Sequence, residues 1–239
     1  MPDLSVRASA ARELMDDPAA DLRMLQRTYQ RFALVNAVVS RWRTLYRREI
    51  RPRAQRRPVR ILDIGAGGGD ISRALSARLR RDGIPGEVTA VDLDARAIAW
   101  ARAQDAGSGV RYRCAPAGEL ADEGERFDVV LSNHVLHHLA PEELSGVLAD
   151  SRRLVAPGGV VCHHDIARSR TAYVLFAVAT APLAPTLFAG SFIRTDGLIS
   201  IRRSYTPDEL AAVVPEGWRV RTGIPARLEL RWEEADAGP

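Results

Sequence analysis

The tightest constraint on this chain is an alternation. From residue 59 to 165, short apolar runs alternate with amphipathic stretches of helical period. Residues 59–64, 87–91, 110–114, 127–132 and 160–165 read as strands. Residues 70–81, 95–106 and 141–154 read as the intervening helices. The strands are nearly continuous in apolar residues, which requires burial on both faces. A mostly parallel sheet covered by helices on both sides meets that requirement, so the predicted class is α/β. Pro157-Gly158-Gly159 is expected to turn the chain into the last of these strands. Residues 206–210 open a further helix. Residues 218–224 and 227–232 form an antiparallel closing pair around Pro225, and the chain beyond Glu233 is expected to fray. Residues 1–57 read as an N-terminal helical cover, with Leu22, Leu25, Tyr29 and Phe32 at helical spacing. Residues 58–239 form the main domain, and 165–205 an apolar insert within it.

The first strand runs into Gly65-Ala66-Gly67-Gly68-Gly69-Asp70. Glycines let the backbone turn sharply and let a ligand approach main-chain atoms. The helix that follows presents free N–H groups. A dinucleotide fingerprint would place glycine at position 70, and Asp70 stands there instead. A carboxylate suits a ligand with a cationic centre better than a pyrophosphate, which argues against a nicotinamide oxidoreductase. Val91-Asp92-Leu93-Asp94 closes the next strand. An acidic residue at that strand end, about 25 residues after the loop, is placed to hold two ribose hydroxyls.

These segments, with 127–139 and 154–159, resemble the class I S-adenosylmethionine-dependent methyltransferases of small-molecule type. The likeness extends loosely to enzymes of ubiquinone, menaquinone, polyketide and phenolic-lipid biosynthesis. It implies a Rossmann-like, seven-stranded sheet whose last strand is antiparallel, and S-adenosyl-L-methionine as cofactor. Asp63, Gly65, Gly67 and Gly69 would line its methionine part, Asp92 its ribose and Leu93 its adenine. Ala66, Ala117 and Asn133 complete the expected cofactor-binding set. Pro116 stands where the family often carries an Asp for the adenine amino group, which implies weaker or differently polarised cofactor binding.

All five histidines fall in two clusters, His134, His137 and His138, then His163 and His164. Both follow predicted strand ends, where open α/β sheets place their ligands. Imidazole titrates near neutrality and can take a proton from a phenol or enol. His134, His137 and His163 are therefore the catalytic candidates, with His134 favoured as base. Packing or supporting roles remain open for His137 and His138. His163 and His164 point to opposite faces of a strand, so only one of them can face the site. A metal held by His134, His163 and Asp165 is chemically conceivable, but no single element carries a ligand motif and no metal is expected.

The acceptor is expected to be a small apolar aromatic or polyketide-like molecule. Its candidate contacts are Tyr29, Asn36 and Arg41 from the cover, His138 and Asp165 from the strand ends, and Tyr173 and Phe176 from the insert. O-methylation is favoured over C-methylation. Ser132-Asn133-His134-Val135 lacks the Pro-Pro-aromatic pattern of enzymes that methylate nucleobase amines.

Composition bears on the competing readings. The net charge of +4 invites a nucleic-acid partner, yet all 34 basic residues are arginine and none is lysine, which fits a biased codon usage. The densest run, 47–60, has no interleaved aromatics and reads as a solvated linker. An RNA methyltransferase using that run, or a cofactor-binding protein without turnover, are the alternatives. Residues 171–193 are uncharged, but Pro182 and Pro185 interrupt them, so no membrane span is expected. Cys114 and Cys162 lack paired spacing and read as reduced thiols. With no signal-peptide pattern at the N-terminus, the expected location is cytoplasmic, peripheral to a membrane for a lipid acceptor.

Overall fold

A computed structural model describes residues 1–55 and 57–235, apart from the side chain of Val38. Its centre is one seven-stranded sheet of order β3-β2-β1-β4-β5-β7-β6. The strands are β1 (Val59–Ile64), β2 (Gly86–Asp92), β3 (Arg111–Cys114), β4 (Phe127–Asn133), β5 (Val155–Ile166), β6 (Arg219–Gly223) and β7 (Arg227–Glu233). The first five run parallel, and β7 is antiparallel to both β5 and β6. This is the expected Rossmann-like arrangement of seven strands with the last antiparallel, and an N-terminal helical region is added.

Pleating distributes the strand residues to two cores. Ile61, Val129, Leu131, Val160 and Cys162 face one helical layer, where α4 (Asp70–Arg81) contributes Ile71, Leu75 and Leu79. Leu62, Val130 and Val161 face the other, where α7 (Pro141–Leu154) contributes Leu144, Leu148 and Leu154. Fully burying each such side chain stabilises the fold by about 1.5–3 kcal/mol. Strand order reverses between β1 and β4, which opens a crevice at their carboxyl ends.

The helices α4 and α7 have the expected bounds, and β1 does as well. Other elements differ. Pro157-Gly158-Gly159 lies inside β5. The chain does not fray directly after Glu233, because Glu234 and Ala235 bond back to Gly159 and Gly158; residues 236–239 lie outside the described residues. The cover is helical only from α1 (Leu22–Val39) onward. Before it, one 3-10 turn at Leu14–Asp16 interrupts otherwise irregular chain. Without helical periodicity, this segment is fixed by side chains reaching its carbonyls. Arg168 donates to Leu4 O at 3.0 Å, and Arg96 donates to Met15 O and Asp17 O at 3.1 and 2.8 Å.

The arginine-rich run is no linker. α2 (Trp42–Leu45), a π turn (Tyr46–Ile50) and α3 (Arg51–Arg53) follow one another, and Tyr46 and Ile50 are buried against the sheet. Arg53 pairs with Glu49 at 3.0 Å, Arg57 with Asp128, and Arg60 with Glu125; Arg56 lies outside the described residues. Those three guanidinium groups are engaged internally, which weakens the reading of this run as a phosphate-binding patch.

The insert folds as α8 (Arg170–Thr180) and α9 (Ile193–Arg203), separated by turns. No helix among the described residues is long and apolar enough to cross a membrane. The remaining helices are α5 (Ala95–Ala103), α6 (Ala117–Asp122) and α10 (Pro207–Val213).

Candidate active site

A cavity of about 550 Å³ occupies the crevice at the carboxyl ends of β1, β2 and β4. The glycine loop forms one wall. Gly65 has φ +67°, and a Cβ there would come within 2.5 Å of Val135 Cγ2. Gly67 has φ +53°, and a Cβ on it would meet nothing within 4 Å, so this stretch of backbone borders open space. Asp92 braces the loop. Its Oδ2 accepts the Gly67 N–H at 2.7 Å and its Oδ1 accepts the Asp94 N–H at 2.8 Å.

Asp63, Asp70 and Asp92 all line this wall, and none makes a salt bridge among the described residues. Burial raises the Asp63 carboxyl to about 7, opposed by the Ser72 hydroxyl that donates to it at 2.5 Å and aided by the charges of Asp70 and Asp92. Burial also raises Asp70 and Asp92. Three carboxyls crowded in this way would each gain from a nearby cation. Asn133 adds an amide whose Nδ2 and Oδ1 are both buried without a partner among the described residues. These features fit a ligand that offers a positive centre and further hydrogen-bonding groups.

The opposite edge carries histidine chemistry. His134 follows β4 in a left-handed conformation, φ +58°, which costs about 1–3 kcal/mol for a residue with a side chain. Its N–H donates to His164 O at 2.8 Å. Its Nδ1 lies 3.6 Å from Asp165 Oδ1, and its Nε2 is shielded from solvent with no partner among the described residues. His137 is held differently. Its Nδ1 is 2.8 Å from Asp165 Oδ1, and its Nε2 is 3.1 Å from Glu13 Oε1. Burial opposes its charged form, but Asp165 and Glu13 prevail and hold the ring at about 9. The same contacts push Asp165 well below the ordinary carboxylate range against the effect of burial.

Comparisons with known proteins agree with this architecture. Residues 61–159 match a family described as "Methyltransferase domain". The match likens residues 61–159, under half of the chain, to a methyltransferase domain. The chain is 36% identical over 159 residues to a ubiquinone biosynthesis O-methyltransferase of Azorhizobium caulinodans, covering 64% of this chain and 56% of that protein. The enzyme of the same name from Brucella anthropi is 30% identical over 159 residues, covering 66% and 59%. The chain thus spans little more than half the length of these curated relatives. Among solved structures, plantazolicin methyltransferase BpumL, in complex with a triazolic desmethylPZN analog and SAH, superposes with a TM-score of 0.61 at 15% identity. That match covers 90% of this chain and 96% of the other. At that identity the likeness speaks for the fold alone.

Within residues 61–159, Asp63, Gly65, Ala66, Gly67, Asp92, Leu93, Ala117 and Asn133 line the cavity. Gly69 does not. A Cβ there would press on Tyr112 at 2.9 Å and Ala101 at 3.1 Å, so its constraint is helix packing. Tyr29, Asn36, His138 and Phe176 border the cavity as expected acceptor contacts, whereas Arg41 and Tyr173 do not. Arg41 reaches outward to Ile224 O at 2.9 Å. Asp165 is buried behind the histidines without lining the cavity; it bonds His137 at 2.8 Å and lies 3.6 Å from His134 Nδ1.

His163 is removed from the catalytic candidates. It faces α7, with Nδ1 2.8 Å from Ser132 Oγ and Nε2 3.2 Å from Ser151 Oγ, and it stacks on Trp218. Burial drives it to about 3, so it stays neutral. His164 pairs with Glu229 on β7, leaving neither histidine of this pair at the site. His137 borders the cavity, but both of its nitrogens donate to carboxylates, so it has no lone pair with which to take a proton.

Glu13, Asp16, Asp196 and Ser200 are among the cavity-lining residues that escaped the sequence reading. Asp196 accepts the N–H groups of Leu14 and Met15 at 2.8 and 3.0 Å, and so ties α9 to the N-terminal segment. The only available signal was a carboxylate in a stretch without periodicity, which does not identify a site.

Proposed function

We propose that the protein transfers the methyl group of S-adenosyl-L-methionine to a hydroxyl of a small, apolar aromatic or polyketide-like acceptor. One observation carries the reading. His134 stands on the cavity wall with Nε2 unpartnered and Nδ1 facing a buried carboxylate, between an acidic glycine-loop edge and an apolar one.

The loop edge suits the cofactor. Asp63 and Asp70 would receive its charged amino-acid portion, Asp92 its ribose, and Leu93 with Ala117 its base. When bound, S-adenosyl-L-methionine supplies a methyl group on a sulfonium, an electrophile whose departure leaves a neutral thioether. The apolar edge is made by Phe32, Val35, Val39, Phe176 and Ile193. It would exclude water and hold a ring against the donor, and such positioning supplies much of the acceleration. His134 takes the hydroxyl proton at Nε2. Asp165 stands 3.6 Å beyond Nδ1, on the side away from the cavity, and general-base help of this kind is worth roughly 10²- to 10⁴-fold. O-methylation is preferred to C-methylation because the base is set to act on an acidic hydroxyl. Free Cys114 and Cys162 are in keeping with a cytoplasmic enzyme.

The test uses labelled methyl donor with a panel of phenols, catechols, pyrones and total RNA. The expected result is a labelled O-methyl ether on one phenolic or enolic class, with His134→Ala lowering kcat by about 10²-fold and leaving binding of S-adenosylhomocysteine intact. Label in RNA with every phenol untouched would refute the reading.

A further inference from the structure

Glu13 is the least expected member of the site. It comes from the irregular N-terminal segment, yet it is 4% exposed and lies 3.1 Å from His137 Nε2. Ser200 Oγ on α9 also donates to its Oε1, at 2.8 Å. A buried carboxylate in such a place is costly unless it is paired, and the partner it finds is the imidazole that also holds Asp165.

Asp165 has two neighbours to serve. His137 takes it with both its backbone N–H, at 2.8 Å to Oδ2, and its ring Nδ1, at 2.8 Å to Oδ1. His134 Nδ1 approaches the same Oδ1 from the other side at 3.6 Å. If His137 carried its charge opposed by Asp165 alone, that carboxylate would be neutralised locally and would offer little to His134. A second carboxylate on the far side of His137 changes the balance. Along the row Glu13, His137, Asp165 the charges are negative, positive and negative, which leaves one net negative charge beside His134.

We propose that Glu13 is a positioning residue for methyl transfer: by bonding His137 Nε2 from the side away from Asp165, it fixes the ring whose Nδ1 anchors Asp165 behind His134. The inference rests on the reading of His134 as the base. The remaining charged surroundings do not undo it. His138 lies on the His137 ring at 4.3 Å; its Nε2 is 3.8 Å from Glu13 Oε1 and its Nδ1 meets Asp16 at 3.2 Å, while Asp16 also meets Arg203 at 3.5 Å. Arg7 approaches through the His137 and Leu139 carbonyls, at 3.0 and 2.9 Å, and not through a carboxylate of the row. Asp196, on α9, satisfies backbone N–H groups of the N-terminal segment.

The experiment is the pH profile of kcat for Glu13→Gln, Glu13→Asp and Ser200→Ala, in the full chain with its methyl acceptor. Glu13→Gln removes one negative charge from a row whose middle ring, His137, lies 6.5 Å from the His134 ring. The acidic limb of Glu13→Gln should move down by roughly half a unit to one unit. Its plateau kcat should fall about 3- to 10-fold, with KM for the acceptor little changed. Glu13→Asp should recover part of both effects. Ser200→Ala removes a contact of Glu13 without changing charge, so its limb should stay in place. A raised KM with an unmoved limb in Glu13→Gln would make Glu13 a mere strap and overturn the inference. So would activity that is lost on chelation and restored by a divalent cation, because the Glu13, His137 and His138 donor atoms lie within 4.8 Å of one another and would then serve a metal. If His134→Ala keeps full activity, the base reading itself fails, whichever way the Glu13 variants behave.

Discussion

Gly65→Ala separates two reasons for a glycine at the end of β1. The first is conformational. At φ +67° an alanine costs about 1–2 kcal/mol. The second is steric. The new methyl would lie 2.5 Å from Val135 Cγ2, so Val135 must move, at about 1–3 kcal/mol for an overpacked site. The single variant should therefore lose about 2–5 kcal/mol of stability. Val135→Ala removes Cγ2 and leaves its Cβ 3.7 Å from the new methyl, an ordinary contact. The double variant should thus regain the steric share beyond what Val135→Ala alone costs, and keep the conformational one. Ligand binding should not follow stability. If the loop is bare so that a cofactor can approach its backbone, the methyl at position 65 still stands on the cavity wall in the double variant. Denaturant titration measures the stabilities, and calorimetry with S-adenosylhomocysteine measures affinity. We expect affinity to fall about 10-fold or more, that is roughly 1.4 kcal/mol, in both the single and the double variant. Full recovery of binding in the double variant would show that the glycine exists to accommodate Val135, and the argument for close ligand approach would fail.

Two further outcomes follow from other parts of the molecule. Pro116 is the N-cap of α6 and borders the cavity; Pro116→Asp should stabilise that helix by about 1 kcal/mol and tighten S-adenosylhomocysteine about 3- to 10-fold, and a gain in melting temperature with unchanged affinity would place the adenine elsewhere. His137, held at about 9 in the fold against 6.5 when free, contributes stability that is complete below pH 6.5 and disappears as the pH rises through 9. Its full contribution is roughly 3 kcal/mol, so denaturant midpoints should decline between pH 6.5 and 9.5, and a decline of the same size in His137→Gln would refute this assignment.

The sheet and the glycine-loop edge of the cavity were legible because each depends on contiguous residues. Val59–Ile64 carries its burial in its composition, and Gly65 to Asp70 and Asp92 announce their geometry by residue type at fixed spacing. The arginine run misled because charge alone does not reveal partners. Tyr46 and Ile50 anchor that stretch to the sheet, while Glu49, Asp128 and Glu125 receive its guanidinium groups. The histidines were half legible. Both clusters sit near strand ends, but strand pleating and the serines opposite decide that His163 turns to α7, and no local pattern encodes Ser132 and Ser151 as its partners. Glu13 was illegible for a stronger reason. Its partners are 124 and 187 residues away, and the segment carrying it has no period to read.

That separation has an evolutionary consequence. The edge that suits the methyl donor is built largely within one unbroken stretch, from β1 to β4. The edge suited to the acceptor is contributed by α1, the insert and the irregular N-terminal segment. Pieces outside the stretch can be exchanged, lengthened or re-lined while the donor machinery stays intact. A lineage built on this plan can adopt a new acceptor by changing its periphery, and its chemistry would persist through each change of clientele.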